Sequence, residues 1–120
     1  MKIIKWLDQP EEQDYPAAES YLTLLGQREV VRGMITRLRM TPIVEFKARD
    51  IFRASGLPLL SVDNFHVESN ISKIAQGMKL SPLLLIRDSS QGKVVIADGY
   101  HRLCAVYNHS EDAMIPCKIV

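Results

Sequence analysis

The sequence contains no long apolar run. Its longest apolar stretches, residues 83–86 and 94–97, are far shorter than the roughly 20 residues that a membrane-spanning helix needs. The start of the chain also lacks the apolar core and cleavage site of a signal peptide. We therefore expect a soluble, cytoplasmic protein with no membrane partner.

An excess of charge of either sign is also missing. Lys and Arg number 15 and Asp and Glu number 14, so the net charge is +1 with neutral histidines. A balanced charge removes the electrostatic attraction that supplies most non-specific affinity for nucleic acids. We therefore expect no general DNA- or RNA-coating role, although a local basic patch remains open.

Cysteines are few, and linkers and repeats are absent from the sequence. Cys104 and Cys117 have no CxxC spacing, which favours reduced core thiols over a disulfide framework or a zinc site. No internal repeat, low-complexity segment or long linker divides the 120 residues. The length therefore predicts one domain, residues 1–120, that folds without a disulfide or metal.

The first part of the chain, residues 1–42, is predicted to be a helical extension. Asp14 can cap a first helix that has Pro16 in its first turn and Gly26 as its left-handed stop. The apolar face of this helix is formed by Ala18, Tyr21, Leu22 and Leu25.

A second predicted helix covers residues 27–40 and ends before Pro42. Its apolar stripe contains Val31, Met34, Ile35 and Leu38. Around this stripe lie Arg28, Arg32, Arg37 and Arg39. We interpret these arginines as a solvated face, with a partner-binding role as the alternative.

The remaining residues, 43–120, alternate between strand and helix patterns. Strands are predicted at residues 43–46, 83–86, 94–97 and 115–120. Helices are predicted at 50–54, along the stripe Val67, Ile71, Ile74 and Met78, and after Gly99. This order predicts an α/β (α+β) fold, a small mixed sheet with packed helices plus the two N-terminal helices.

The segment from residue 94 to 105 carries the strongest chemical signal. A buried strand passes through Gly99 directly into a helix, whose first N–H groups have no partner within the helix. His101 and Arg102 add side-chain donors suited to a phosphate, and Asp98 can cap the helix or hold a metal ion. The alternative is a structural turn in which Asp98 is merely a cap.

A second polar line lies on the preceding predicted helix. His66, Ser69 and Lys73 recur at i, i+3 and i+7, which places an imidazole, a hydroxyl and an ammonium on one side. Such a line can bind phosphate or ribose, and the alternative is a solvated helix face. Asp63 and Asn64 precede this helix and can serve as its cap.

Several motifs together resemble the ParB/sulfiredoxin superfamily over residues 43–120. They are residues 56–63, the helix from His66, residues 81–87, the Asp98-Gly99-Tyr100-His101-Arg102 turn and residues 115–120. The resemblance implies that Gly99, His101 and Arg102 form a phosphate turn for a nucleotide. It also implies that Asp63, next to Asn64, steadies Arg102, and that His66, Ser69 and Lys73 face the nucleotide.

The sequence departs from two branches of that superfamily. Sulfiredoxins have their reactive cysteine directly before the His-Arg pair, where this chain has Tyr100, so sulfinic-acid reduction is not expected. ParB partition proteins continue past this domain into DNA-binding and dimerisation regions, whereas the sequence here stops at Val120. DNA segregation is therefore not expected either. The Asp-Gly-x-His-Arg form is most similar to the free-serine-kinase branch, which implies catalytic roles for Asp98 and Glu68.

Three functions remain open at this point. The first is a phosphotransferase or NTP hydrolase that uses ATP, ADP or CTP with Mg²⁺, in which Asp98 helps to hold the metal and Glu68 or Asp63 orients the attacking group. The second is a non-catalytic nucleotide-sensing or protein-interaction module. The third is a ParB-like nuclease, for which the sequence lacks several metal-holding carboxylates and a basic surface.

Overall fold

The computed structural model describes residues 3–120 and contains both helices and strands. Within that range the elements are β1 (Lys5–Trp6), α1 (Asp14–Leu22), α2 (Arg28–Met40), β2 (Val44–Lys47), α3 (Ala48–Ser55), α4 (Phe65–Ala75), β3 (Lys79–Leu80), β4 (Leu83–Asp88), β5 (Lys93–Asp98), α5 (Tyr100–His109) and β6 (Met114–Ile119). Together they form a mixed α+β domain with five helices and two small sheets, which confirms the expected class.

The larger sheet contains the four predicted strands in the order β2-β6-β4-β5. Strands β4 and β6 are parallel, whereas β2 with β6 and β4 with β5 are antiparallel. The prediction of a small mixed sheet is therefore confirmed. The second sheet, a parallel pair of β1 and β3, was not predicted because each strand has two residues and shows no periodicity.

Strand β4 explains why the fold has two apolar cores. Successive strand side chains point to opposite faces of a sheet. Leu83 and Leu85 pack into a cluster with residues of α3, α4 and α5. Leu84 and Ile86 pack into a second cluster with residues of α1 and α2. The continuous apolar run in β4 thus reflects a strand covered by helices on both faces.

The two N-terminal helices differ from their prediction to different degrees. In α2, Val31, Ile35 and Leu38 are buried as expected, and Met34 is partly buried. In α1, Tyr15 is buried with Ala18 and Leu22, whereas Tyr21 and Leu25 are exposed. The helix ends at Leu22, so its apolar repeat does not extend a further turn.

Two predicted helix ends were wrong. Gly26 does not adopt a left-handed conformation, since the glycines with positive φ in residues 3–120 are Gly56, Gly77, Gly92 and Gly99. Met78 lies beyond α4 and is exposed, because the left-handed Gly77 turns the chain away from the helix axis.

Both cysteines are free and buried, as the sequence predicted. Burial raises the pKa of the Cys117 thiol to about 12, and it also raises the pKa of the Cys104 thiol. Both side chains therefore act as small apolar core groups.

No helix within residues 3–120 combines the length and the apolar character that crossing a lipid bilayer would require.

Candidate functional site

The turn between β5 and α5 has the strand–glycine–helix form that the sequence predicted. Strand β5 ends at Asp98, Gly99 has φ +108°, and α5 begins at Tyr100. A Cβ atom on Gly99 would lie 2.8 Å from Cγ of Leu83 and 2.9 Å from Nη2 of Arg102. Both the backbone conformation and the close packing therefore require glycine here.

The N-terminus of α5 has no side chain that caps it, and we call it the open helix end. Gly99 occupies the cap position and has no side chain to accept a hydrogen bond, and the first helical bond runs from the Leu103 N–H to the Gly99 carbonyl at 2.9 Å. The N–H groups of the preceding three residues consequently have no acceptor within the helix. These groups form the positive end of the helix dipole, which favours an anion.

Asp98 does not cap this helix, because its carboxylate is paired with Arg102. Nη2 of Arg102 donates to Oδ2 of Asp98 at 2.7 Å, and the same nitrogen lies 3.6 Å from Oδ2 of Asp14. All three side chains are largely buried, with exposed fractions of 17 % for Arg102, 19 % for Asp98 and 9 % for Asp14. Nε of Arg102 is also buried and has no hydrogen-bond partner in the described part of the chain, residues 3–120.

Asp14 comes from the N-terminal extension and joins α1 to the start of α5. The hydroxyl of Ser81 donates to Oδ2 of Asp14, and Ser81 Oγ accepts the backbone N–H of Glu11 at 3.0 Å. The expected helix-capping role of Asp14 is therefore wrong, since Asp14 lies in the first turn of α1 and pairs with distant groups.

The interpretation of Asp63 also needs correction. Asp63 is exposed in the loop before α4, and no ion pair joins it to Arg102. The carboxylates that hold this arginine are those of Asp14 and Asp98. Its neighbour Asn64 caps α4, because its Oδ1 accepts the N–H groups of His66 at 3.0 Å and Val67 at 3.2 Å.

The environment of Asp98 makes its carboxyl group harder to ionise than usual. Burial raises the pKa of Asp98 above its usual value, and the nearby Asp14 raises it further, while Arg102 opposes both effects. Two carboxylates surround one guanidinium, so the charge of Arg102 is largely compensated inside the protein.

A small polar pocket of about 210 Å³ lies over the open helix end. From α4 it is lined by His66, Asn70 and Lys73, and from the turn by residues 98–102. The two polar segments that the sequence singled out separately therefore meet in one place. Asn70 was missed, although it lies one turn from both His66 and Lys73, and its amide donates to the His66 carbonyl at 2.8 Å.

Two imidazoles are adjacent in this pocket. The ring centroids of His66 and His101 are 4.8 Å apart, and the ring of Tyr100 lies 5.5 Å from that of His101. Burial lowers the pKa of His101, and the neighbouring His66 lowers it further. The hydroxyl of Tyr100 donates to the Pro58 carbonyl and is therefore already engaged within the protein.

Two further predicted residues do not line the pocket. Ser69 and Glu68 are both exposed on α4. Glu68 lies about 200° around the helix from His66, because successive residues are about 100° apart. Its expected catalytic role therefore has no support from its position.

The residues present do not fit a protein-held Mg²⁺ ion at Asp98. Within residues 3–120 no three His, Cys, Asp or Glu side chains form a group that could hold a metal ion. Asp98 contributes one carboxylate to the pocket, and that carboxylate is already paired with the guanidinium of Arg102.

Comparisons of the chain with protein-family models, with curated proteins and with solved structures found no match.

Proposed function

We propose that the pocket at the start of α5 binds the phosphate group of a nucleotide or another small phosphorylated molecule. The observation that carries this proposal is the meeting of Lys73 and two imidazoles with an uncapped helix N-terminus in one polar pocket. Each of these groups donates hydrogen bonds or supplies positive charge, and phosphate oxygens are acceptors.

The donors have different roles in this proposal. The N–H groups at the start of α5 are fixed by the backbone, so they determine where the phosphate lies. Lys73 adds a charge on a flexible stem, and His101 adds a ring nitrogen next to the helix end. Arg102 is a positioning residue, because Asp98 and Asp14 compensate its charge and it packs beneath Gly99.

We propose binding or sensing in preference to phosphoryl transfer because the carboxylates expected to assist transfer are not placed to do so. A transfer reaction needs a group that orients or deprotonates the attacking hydroxyl. Of the carboxylates expected in this role, Glu68 and Asp63 are outside the pocket and Asp98 is paired with Arg102, so the imidazoles of His66 and His101 are the pocket groups left to act as a base. Membership of the ParB/sulfiredoxin superfamily remains part of the proposal, and its support is the Asp-Gly-x-His-Arg turn with a helix facing the same pocket.

Calorimetric titration with ATP and with inorganic phosphate tests the binding. We expect Lys73→Ala and His101→Ala each to weaken binding by about tenfold, which is the scale of one charge-assisted hydrogen bond. Their double mutant is expected to lose less than the product of the two effects, because both groups contact one phosphate. Lys79→Ala removes an exposed lysine outside the pocket and serves as the matched control.

The dependence of the binding affinity on salt distinguishes the contribution of Lys73 from that of His101. The effect of Lys73→Ala should shrink as salt rises, whereas that of His101→Ala should persist. Unchanged affinity in Lys73→Ala at low salt would confine the site to the turn at Gly99. The absence of any binding to wild-type protein would refute the function, and release of phosphate from ATP that depends on His101 would show an enzyme instead of a sensor.

A further inference from the structure

The arginines of α2 form a charged face that the phosphate pocket does not use. Arg28, Arg32 and Arg39 lie on one side of the helix, since they are separated by four and seven residues. Arg28 and Arg32 are exposed, and within residues 3–120 neither makes an ion pair. Arg39 differs, because it pairs with Glu12 and its guanidinium lies 4.2 Å above the ring of Tyr15.

This face borders a groove of about 480 Å³ between α1 and α2. The α1 side presents the hydroxyls of Ser20 and Thr23 and the carboxylate of Glu19. Tyr15 and Ile35 supply apolar surface at its base. The groove thus combines cationic donors with hydroxyl and carboxylate acceptors.

The spacing of the unpaired arginines matches an extended polypeptide. One turn of four residues separates Arg28 from Arg32, which is a rise of about 6 Å along α2. Alternate side chains of an extended strand are about 6.6 Å apart and point the same way. Two acidic side chains at i and i+2 of an extended segment can therefore each meet one arginine.

We propose that this groove binds an acidic, extended segment of a partner protein. Arg28 and Arg32 would pair with its carboxylates, and the acceptors Ser20, Thr23 and Glu19 would receive its backbone N–H groups. The uncapped N-terminus of α2, at Gln27, adds positive potential at the Arg28 end.

The lining favours a peptide over a nucleic acid. A phosphodiester backbone offers acceptors alone, so Glu19 would repel it, whereas a peptide backbone also offers N–H donors. Single-stranded nucleic acids also stack their bases on exposed aromatic rings. Tyr15 is 4 % exposed and lies under Arg39, so it provides no such platform.

Fluorescence anisotropy with a labelled peptide of about eight alternating Glu and Ser residues tests this proposal. We expect saturable binding to the full chain at about 50 mM salt that weakens at about 200 mM. The double variant Arg28→Gln/Arg32→Gln should bind about tenfold more weakly. The control Arg37→Gln/Arg53→Gln removes the same charge at exposed arginines outside the groove and should bind like wild type.

Each other outcome overturns the proposal. Absence of binding to wild-type protein, equal weakening in both double variants, or tighter binding of an oligothymidine than of the acidic peptide would contradict it. Equal binding of a Gln-Ser peptide would show that charge pairing is not the basis. Because no groove residue lines the pocket at α5, these results do not depend on the phosphate measurements.

Discussion

Arginines occupy two contrasting environments in this protein. At the start of α5, Arg102 is mostly buried and contacts two carboxylates from different parts of the chain. On α2, Arg28 and Arg32 are exposed and have no acidic partner in the described part of the chain. The same residue type thus connects elements in one region and leaves its charge available to solvent in the other.

This difference shows that a motif arginine is not by itself a ligand-binding arginine. A buried guanidinium needs compensating acceptors, and Asp98 and Asp14 provide them within the protein. An exposed guanidinium is already hydrated, so it can exchange water for an external carboxylate at little cost. The buried ion pairs of Arg102 favour a structural role for that residue, whereas Arg28 and Arg32 are exposed and are the arginines for which we propose a role in recognition.

The largest difference between the two environments should be seen in stability. Arg102→Met leaves two buried carboxylates without their cation, and we expect the free energy of unfolding to fall by about 3 kcal/mol. Arg32→Met removes an exposed, unpaired charge and should change it by less than about 0.5 kcal/mol. Chemical denaturation measures both, and a loss below about 1 kcal/mol for Arg102→Met would contradict the structural role.

Replacing glycine should also affect stability differently at the start of α5 and within α2. Gly99→Ala introduces a Cβ into a left-handed position with contacts below 3.0 Å, so we expect a loss of about 2 kcal/mol. Gly33 lies within α2, and a Cβ added there would meet no heavy atom within 4 Å beyond its chain neighbours and the backbone of the helix, so Gly33→Ala should stabilise the protein by about 0.5–1 kcal/mol. Thermal unfolding of both variants tests whether the turn at Gly99 is as tightly packed as described.

The pH dependence of anion binding should distinguish the pocket from the α2 groove. Burial lowers the pKa of His101 below the usual histidine value of about 6.5. The ring is therefore neutral at pH 7 and gains its charge only at lower pH. Sulfate keeps its charge over this range, and we expect its affinity to rise about fivefold between about pH 7.5 and 5.5.

The histidine variants supply the controls for that measurement. His66→Asn/His101→Asn should remove the increase, whereas His109→Asn, at the other end of α5, should keep it. Binding of the acidic peptide to the α2 groove should change little over the same range, because no histidine lines that groove. A rise that persists in the double variant would show that the two imidazoles do not contact the anion.

The smallest expected effect concerns the helix ends. Asn64→Ala removes the side chain that accepts two N–H groups at the start of α4, and we expect a loss of about 1 kcal/mol. Gln27→Ala at the start of α2 removes no cap hydrogen bond and should have almost no effect on stability. Equal losses in both variants, measured by urea denaturation, would show that the cap at Asn64 does not stabilise α4.

Local patterns in the sequence were sufficient to predict much of the larger sheet and the turn at Gly99. The apolar runs of β4 and β5 and the periodic buried stripe of α2 are each visible within a single element. Periodicity also placed His66 and Lys73 on one side of α4, although it did not show that Asn70 completes that side. It failed for α1, where the stripe was extended past the end of the helix at Leu22.

The partners of the candidate site could not be predicted in the same way. The resemblance to the ParB/sulfiredoxin superfamily implied that Asp63 holds Arg102, yet Asp14, which is 88 positions before Arg102, does so in the structure together with Asp98. Nothing in the spacing of Asp14 distinguishes a helix cap from a buried ion-pair partner. The distinction depends on which face of the sheet α1 covers.

The sequence by itself determined the helices and strands that show clear periodicity, the two reduced thiols and the need for glycine at residue 99, because these depend on local backbone conformation and side-chain polarity. The tertiary structure decided that α4 faces the start of α5, that Asp14 reaches Arg102, and that Arg28 and Arg32 have no ion-pair partner among residues 3–120. These contacts join residues far apart in the chain, and their existence depends on how the helices pack on the two faces of β4.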